Sequence, residues 1–131
     1  MRANLAGARF SRADLGRADL TDANLKQAHS FEAKFIGARL TRADLTGADL
    51  AGVDFNGAFL DHARLADAKL YNTTLPGADL TNAMLAGADL AYAVLSRANL
   101  SDFRIASGPT CREPCSLRRI SPGPTWAVPR S

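Results

Sequence analysis

The chain has 131 residues, enough for one domain with one modest core. Its 47% hydrophobic and 22% charged residues exclude a disordered polyelectrolyte, and no segment has the apolar length of a membrane span. Charge cancels over residues 1–107, where 12 Lys and Arg meet 12 Asp and Glu, which excludes a basic nucleic-acid-binding face there. From Met1 onward the sequence enters a five-residue period with no apolar leader before it, so a cytoplasmic location is expected.

A large apolar residue, or its stand-in, falls at every fifth position from Leu5 to Ile105. Of these 21 centres, 16 are Leu, three are Phe, one is Ile and one is Ser30. Two positions earlier sits a small residue, Ala in 18 cases, with Val53, Thr73 and Phe103 as exceptions. Between them the sequence favours Asp or Asn, as at Asn4, Asp14, Asp19 and Asn24. A period of five fits neither simple element. On a helix each step advances about 500°, so the leucines would spiral around every side. On an unbroken strand, odd spacing would send successive leucines to opposite faces. The remaining solution places Ala and Leu on one side of a short extended segment and turns the chain in the next two residues. Repetition winds the chain around an Ala/Leu interior, and glycines such as Gly37, Gly57 and Gly77 relieve corners that need a positive φ. Spacings of 20 between Phe35 and Phe55, and between Val53 and Thr73, suggest four units per turn.

Units such as Ala13-Asp14-Leu15-Gly16-Arg17 and Ala48-Asp49-Leu50-Ala51-Gly52 resemble the A(D/N)LXX motif of the pentapeptide-repeat family. The resemblance spans residues 1–107. It implies an all-β fold, a right-handed quadrilateral β-helix of about five coils, roughly 24 Å tall at ~4.8 Å per layer. An irregular Pro- and Arg-rich C-terminal tail, 108–131, follows as a separate and mostly disordered segment, holding five of the six prolines.

In chain order, the uncovered first coil is expected to associate end to end with another copy or to mark a truncated member lacking its cap. Ser30 interrupts the column of Phe10, Leu50, Leu70 and Leu90, with local repacking and a hydroxyl bonded to backbone; a functional notch with His29 is the sharper alternative. On the outside, Asp14, Lys34 and Asp54 stack on one face. Arg9, His29, Asp49, Lys69 and Asp89 stack on another, and both columns read as ladders of alternating charge. Phe31, Tyr71 and Tyr92 project near one corner and form the candidate protein-contact patch, with Ile36, Phe59, Met84 and Val94 exposed elsewhere. Phe103 is expected to cover the final core layer, and Trp126 to dock onto the coil.

No catalytic, cofactor-binding or metal-binding constellation emerges. His29 and His62 fall on different faces, and Cys111 and Cys115 lack further zinc ligands. Arg118-Arg119-Ile120-Ser121 is a short basic run of the solvated kind. The expectation is a non-enzymatic scaffold or protein-protein interaction module without a cofactor, with an unknown protein partner and a homo-oligomer through the coil ends. The family resemblance also implies an alternative, since some members protect DNA gyrase by mimicking duplex DNA as acidic dimers. The neutral repeat and the lack of a C-terminal dimerisation helix depart from that pattern.

Overall fold

The computed structural model of the chain describes residues 2–102. Twenty of the 21 units lie within them; the unit of Phe103 and Ile105, Cys111, Cys115, the 118–121 run and Trp126 lie outside the described residues.

Every unit repeats one local course: a small residue, a shoulder residue, the centre and two turn residues. The turn closes when the next small residue donates its N–H to the centre carbonyl, as Ala8 does to Leu5 at 3.0 Å and Ala63 to Leu60 at 3.0 Å. The second turn residue has a positive φ in all 20 described units, seven times as Gly and thirteen times as another residue. That is the φ a type II turn requires at its third position. The left-handed corner is therefore a property of every unit, not of the glycine-bearing ones alone. A non-glycine there costs about 1–2 kcal/mol, least for Asn and Asp, and Arg12, His62 and Tyr92 accept it at φ 60°, 58° and 59°.

Turns at this frequency leave no room for continuous strands. The coils are instead joined by single-residue parallel bridges, each linking a shoulder residue to the one 20 positions on, from Asn4–Asn24 to Asp79–Asn99. Four units thus make one circuit. Three backbone hydrogen bonds per unit pass between coils: Leu5 N–H to Asn24 O at 2.7 Å, Gly7 N–H to Lys26 O at 2.8 Å, and Asn24 N–H to Ala3 O at 2.9 Å, then repeating.

This pattern uses every N–H of the unit except that of the first turn residue. The shoulder supplies what is missing. At all ten described shoulders that are Asp or Asn, Oδ1 accepts the N–H two residues on, among them Gly16 to Asp14 at 3.0 Å and Ala91 to Asp89 at 3.0 Å. Short Asx side chains favour this local bond, so the D/N of the motif closes the turn.

The same geometry corrects the reading of the outer columns. No ion pair forms within the Asp14/Lys34/Asp54 column or the Arg9/His29/Asp49/Lys69/Asp89 column among the described residues. In these two columns the aspartate Oδ1 atoms are bent back onto their own turns, and the side-chain bond that does cross between layers is a neutral donor's, Thr74 Oγ1 to Asp54 Oδ1 at 3.2 Å. Ion pairs form mainly where a longer turn side chain crosses coils, as Arg12 to Glu32 at 3.1 Å and Arg42 to Asp22 at 2.8 Å.

Inside, every small and centre position from Ala23 to Leu100 is buried. Each interior leucine contributes ~1.5–3 kcal/mol before entropy, and layers touch only their neighbours, so stability accrues coil by coil. Phe35 and Phe55 stack on successive coils with ring centroids 5.2 Å apart and planes tilted by 32°. Leu5, Phe10, Leu15 and Leu20 of the first coil are half-buried and pack against this core from one end.

Ser30 is 1% exposed, in register with Phe10 one coil before it. Its N–H donates to Asp49 O at 2.8 Å, and a hydroxyl-to-backbone bond of the kind expected for it is formed by the other buried polar residue of the core. Thr73 shows what such a bond looks like: its Oγ1 donates to Leu50 O at 2.9 Å.

Candidate interaction surface

The corner that carries positions 11 and 12 of each circuit brings the expected aromatic residues onto one edge. Phe31 lies in the second circuit and Tyr71 two circuits further on in the same column, with Ala51 between them. Successive layers are tied through this corner by Arg12 N–H to Phe31 O at 2.9 Å, Gly52 N–H to Tyr71 O at 2.9 Å and Asn72 N–H to Ala91 O at 2.9 Å. The last bond sets Tyr92 directly over the Tyr71 turn. Their rings meet edge to face, with centroids 5.4 Å apart and planes at 74°.

Tyr71 and Tyr92 therefore form a pair, and Phe31 stands apart from it by a small-residue layer. All three remain close to half exposed, at 44% for Phe31, 49% for Tyr71 and 47% for Tyr92. Ala51 and Gly52 leave a notch between Phe31 and Tyr71, and the Glu32 stem crosses it, since a Cβ on Gly52 would lie 3.3 Å from Glu32 Cγ. Glu32 is in turn held by Arg12. Of the other apolar residues expected outside, Ile36, Phe59 and Met84 are exposed on separate columns, while Val94 is half-buried.

A charged groove on the diagonally opposed side escaped the sequence reading. Arg2, Asp22 and Arg42 follow one another at one corner, and Asn4, Asn24, Asp44 and Arg64 run down the adjoining face. Together with Lys26 and the short floor of Ala3 and Ala23, they enclose about 470 Å³. The signal was the shared 20-residue register of positions 2, 22 and 42, visible once four units per circuit was suspected. Arg42 grips Asp22 through Nε to Oδ1 at 2.8 Å and Nη2 to Oδ2 at 2.9 Å. That bond holds the Asp22 carboxyl below its usual range against the opposing effect of burial, and the charges of Arg42 and Arg2 add to it. For Asp44 burial pushes upward most strongly, yet the Thr46 hydroxyl and N–H, Lys26 and Arg64 together bring the carboxyl below its ordinary value. Thr46 Oγ1 donates to Asp44 Oδ1 at 2.6 Å, while Lys26 and Arg64 approach Oδ2 at 3.3 and 3.8 Å.

His29 and His62 stand in different columns, and no group of three or more His, Cys, Asp and Glu among the described residues is arranged to hold a metal ion. No helix among them is long and apolar enough to cross a membrane.

The family model for pentapeptide repeats matches in eight copies over residues 1–29, 31–65 and 63–102. The chain belongs to the pentapeptide-repeat family. This pentapeptide-repeat chain is similar to a crystal structure of a pentapeptide repeat protein from the Arabidopsis thaliana thylakoid lumen, with 35% identity and a TM-score of 0.74, covering 78% of this chain and 71% of that one. It is also similar to one from the cyanobacterium Cyanothece, with 28% identity and a TM-score of 0.82, covering 84% and 88%. No curated protein matches it.

Proposed function

We propose that this pentapeptide-repeat protein is a non-catalytic interaction module that engages a partner protein through the corner of Phe31, Tyr71 and Tyr92. The observation that carries this reading is the Tyr71–Tyr92 pair, two aromatic rings ordered against each other while nearly half of each faces solvent. Ordered, amphipathic aromatic side chains lose little entropy on binding and are the residues on which interfaces anchor. Around them stands a rigid frame, read as one right-handed quadrilateral β-helix over 1–107 of about five coils, with 108–131 as a separate tail and the cytoplasm as its compartment.

The duplex-DNA mimic is the weaker reading. Its motif is a continuous negative stripe, whereas every shoulder column here holds an Arg or Lys beside its acids and half of the shoulders are neither Asp nor Asn.

Photocrosslinking tests the proposal. A photoreactive residue at position 72, beside Tyr71, is expected to give one discrete adduct in cells, which disappears in the Tyr71→Ser/Tyr92→Ser variant. Position 56, exposed at an adjoining corner and outside the charged groove, is expected to give none. Equal adducts from both positions, or an adduct that survives loss of both tyrosines, would overturn it.

A further inference from the structure

We propose that the groove walled by Arg2, Asp22, Lys26, Arg42, Asp44 and Arg64 binds a compact, multiply charged anion of the phosphate class. Four cations and two carboxylates line it, which leaves a net charge of +2 in about 470 Å³. The described residues as a whole carry 11 Lys and Arg against 12 Asp and Glu, a net −1, so everything outside the groove sums to −3. The positive potential of the rod is thus concentrated in one concavity, the arrangement that focuses an anion onto a surface.

The bonding within the groove shows which donors are spent. Both Asp22 oxygens are taken by Arg42, and Asp44 divides its oxygens between Thr46 on one side and Lys26 and Arg64 on the other. Asp61, just outside, accepts the Thr41 hydroxyl at 2.7 Å and acts on Arg42 only through its charge. Arg2 makes no hydrogen bond or ion pair among the described residues and reaches Asp22 only electrostatically. Arg64 has a single 3.8 Å approach to a carboxylate that Lys26 approaches more closely.

Two guanidinium groups, each with five donors, are therefore left largely unspent at the two ends of a groove whose middle is already paired. A planar guanidinium fork matches phosphate oxygens two at a time. Two such forks and a +2 excess fit a multiply charged ligand of small volume, such as a pyrophosphate or a phosphomonoester, better than a single carboxylate. The site faces away from the aromatic corner, so it stands or falls independently of the proposed protein interaction.

The experiment is a calorimetric titration of the full chain with inorganic pyrophosphate at low ionic strength, with O-phosphoserine as a parallel arm. Saturable one-site binding of pyrophosphate is expected, weakened about tenfold by Arg2→Gln or Arg64→Gln, in line with loss of one charge-assisted contact. Lys34→Gln, on the opposite face, should leave it unchanged. Tighter binding of pyrophosphate would identify a free phosphate ligand, and tighter binding of O-phosphoserine a phosphorylated side chain. Arg64 is tied to the preceding coil through its backbone, which the substitution keeps, and its side chain adds only the 3.8 Å approach to Asp44, while Arg2 has no side-chain bond among the described residues, so both variants should melt close to the parent. Absence of saturation by about 10 mM of either probe, equal weakening by Lys34→Gln, or unchanged affinity in both arginine variants would overturn the assignment.

Discussion

Arg42 closes on Asp22 of the preceding coil with two near-parallel hydrogen bonds, 2.8 and 2.9 Å long. A cross-coil bond of this kind stabilises the fold only while the carboxylate is charged. The folded-state pKa of Asp22 lies below its ordinary value of 3.8, and that of Asp44 is lowered as well. Their contribution is therefore fully present above the unfolded pKa and is lost as pH falls through the folded one. Thermal melts between pH 7 and 2 should show a flat plateau to about pH 4 and a decline below it. Asp22→Asn should lower the plateau and flatten the decline; an unchanged pH profile would show that the pair contributes nothing.

The turn-closing role of the shoulder gives a second expectation. Asp89 accepts the N–H of Ala91, a residue only 8% exposed, so truncating the side chain strands a nearly buried donor. Asp89→Ala should cost about 1 kcal/mol in urea denaturation, while Asp89→Asn, which keeps the acceptor oxygen, should cost much less. Equal losses in the two variants would assign the effect to charge instead.

Gly57 and Gly16 should respond in opposite directions to the same substitution. A Cβ on Gly57 would meet nothing within 4 Å, but the residue has φ +61°, so Gly57→Ala should destabilise by about 1 kcal/mol through backbone strain alone. Gly16 occupies the first turn position, where the same shoulder-bonded turns already carry alanine at Ala51 and Ala91. Gly16→Ala should stabilise by roughly 0.4–1 kcal/mol through the unfolded chain, provided that Asp14 Oδ1, 3.1 Å from the new Cβ, gives way slightly. Comparing the two denaturation midpoints checks both signs.

Thr73→Val should cost about 1 kcal/mol in urea denaturation, because it removes the hydroxyl that donates to Leu50 O inside the core. Phe55→Ala, which opens a cavity beside Phe35, should cost about 3–5 kcal/mol. No loss in Thr73→Val would mean that the Thr73 hydroxyl adds nothing beyond the packing of its side chain.

What the sequence disclosed and what it hid divide along a physical line. The Ala and Leu positions could be read because burial acts on residue type directly, and one five-residue period repeats that demand at every step. The aromatic corner was also legible, since Phe31 and Tyr71 differ by two circuits of 20, although only the coordinates separate the Tyr71–Tyr92 pair from Phe31. The left-handed corners were half hidden: glycine announces them, but Arg12, His62 and Tyr92 do not. The shoulder aspartates suggested charge ladders because stacking register was visible while side-chain direction was not. The groove's Arg2, Arg42 and Arg64 come from two columns and three circuits, a juxtaposition that no linear motif contains.

The uniform 20-residue bridge spacing has a consequence for how such a surface changes over time. Losing or gaining one five-residue unit would keep every alanine and leucine facing inward, yet it would turn everything downstream by a quarter revolution. Such a change at the level of Ala51 would carry Tyr71 and Tyr92 to a different corner from Phe31 and leave the groove on the other side assembled from most of its original layers. The exterior can thus be re-clocked in ninety-degree steps while the interior keeps its alanine and leucine layers and loses only register-dependent stacks such as Phe35 on Phe55. Whole-circuit changes of 20 residues would lengthen or shorten the rod and keep its faces aligned.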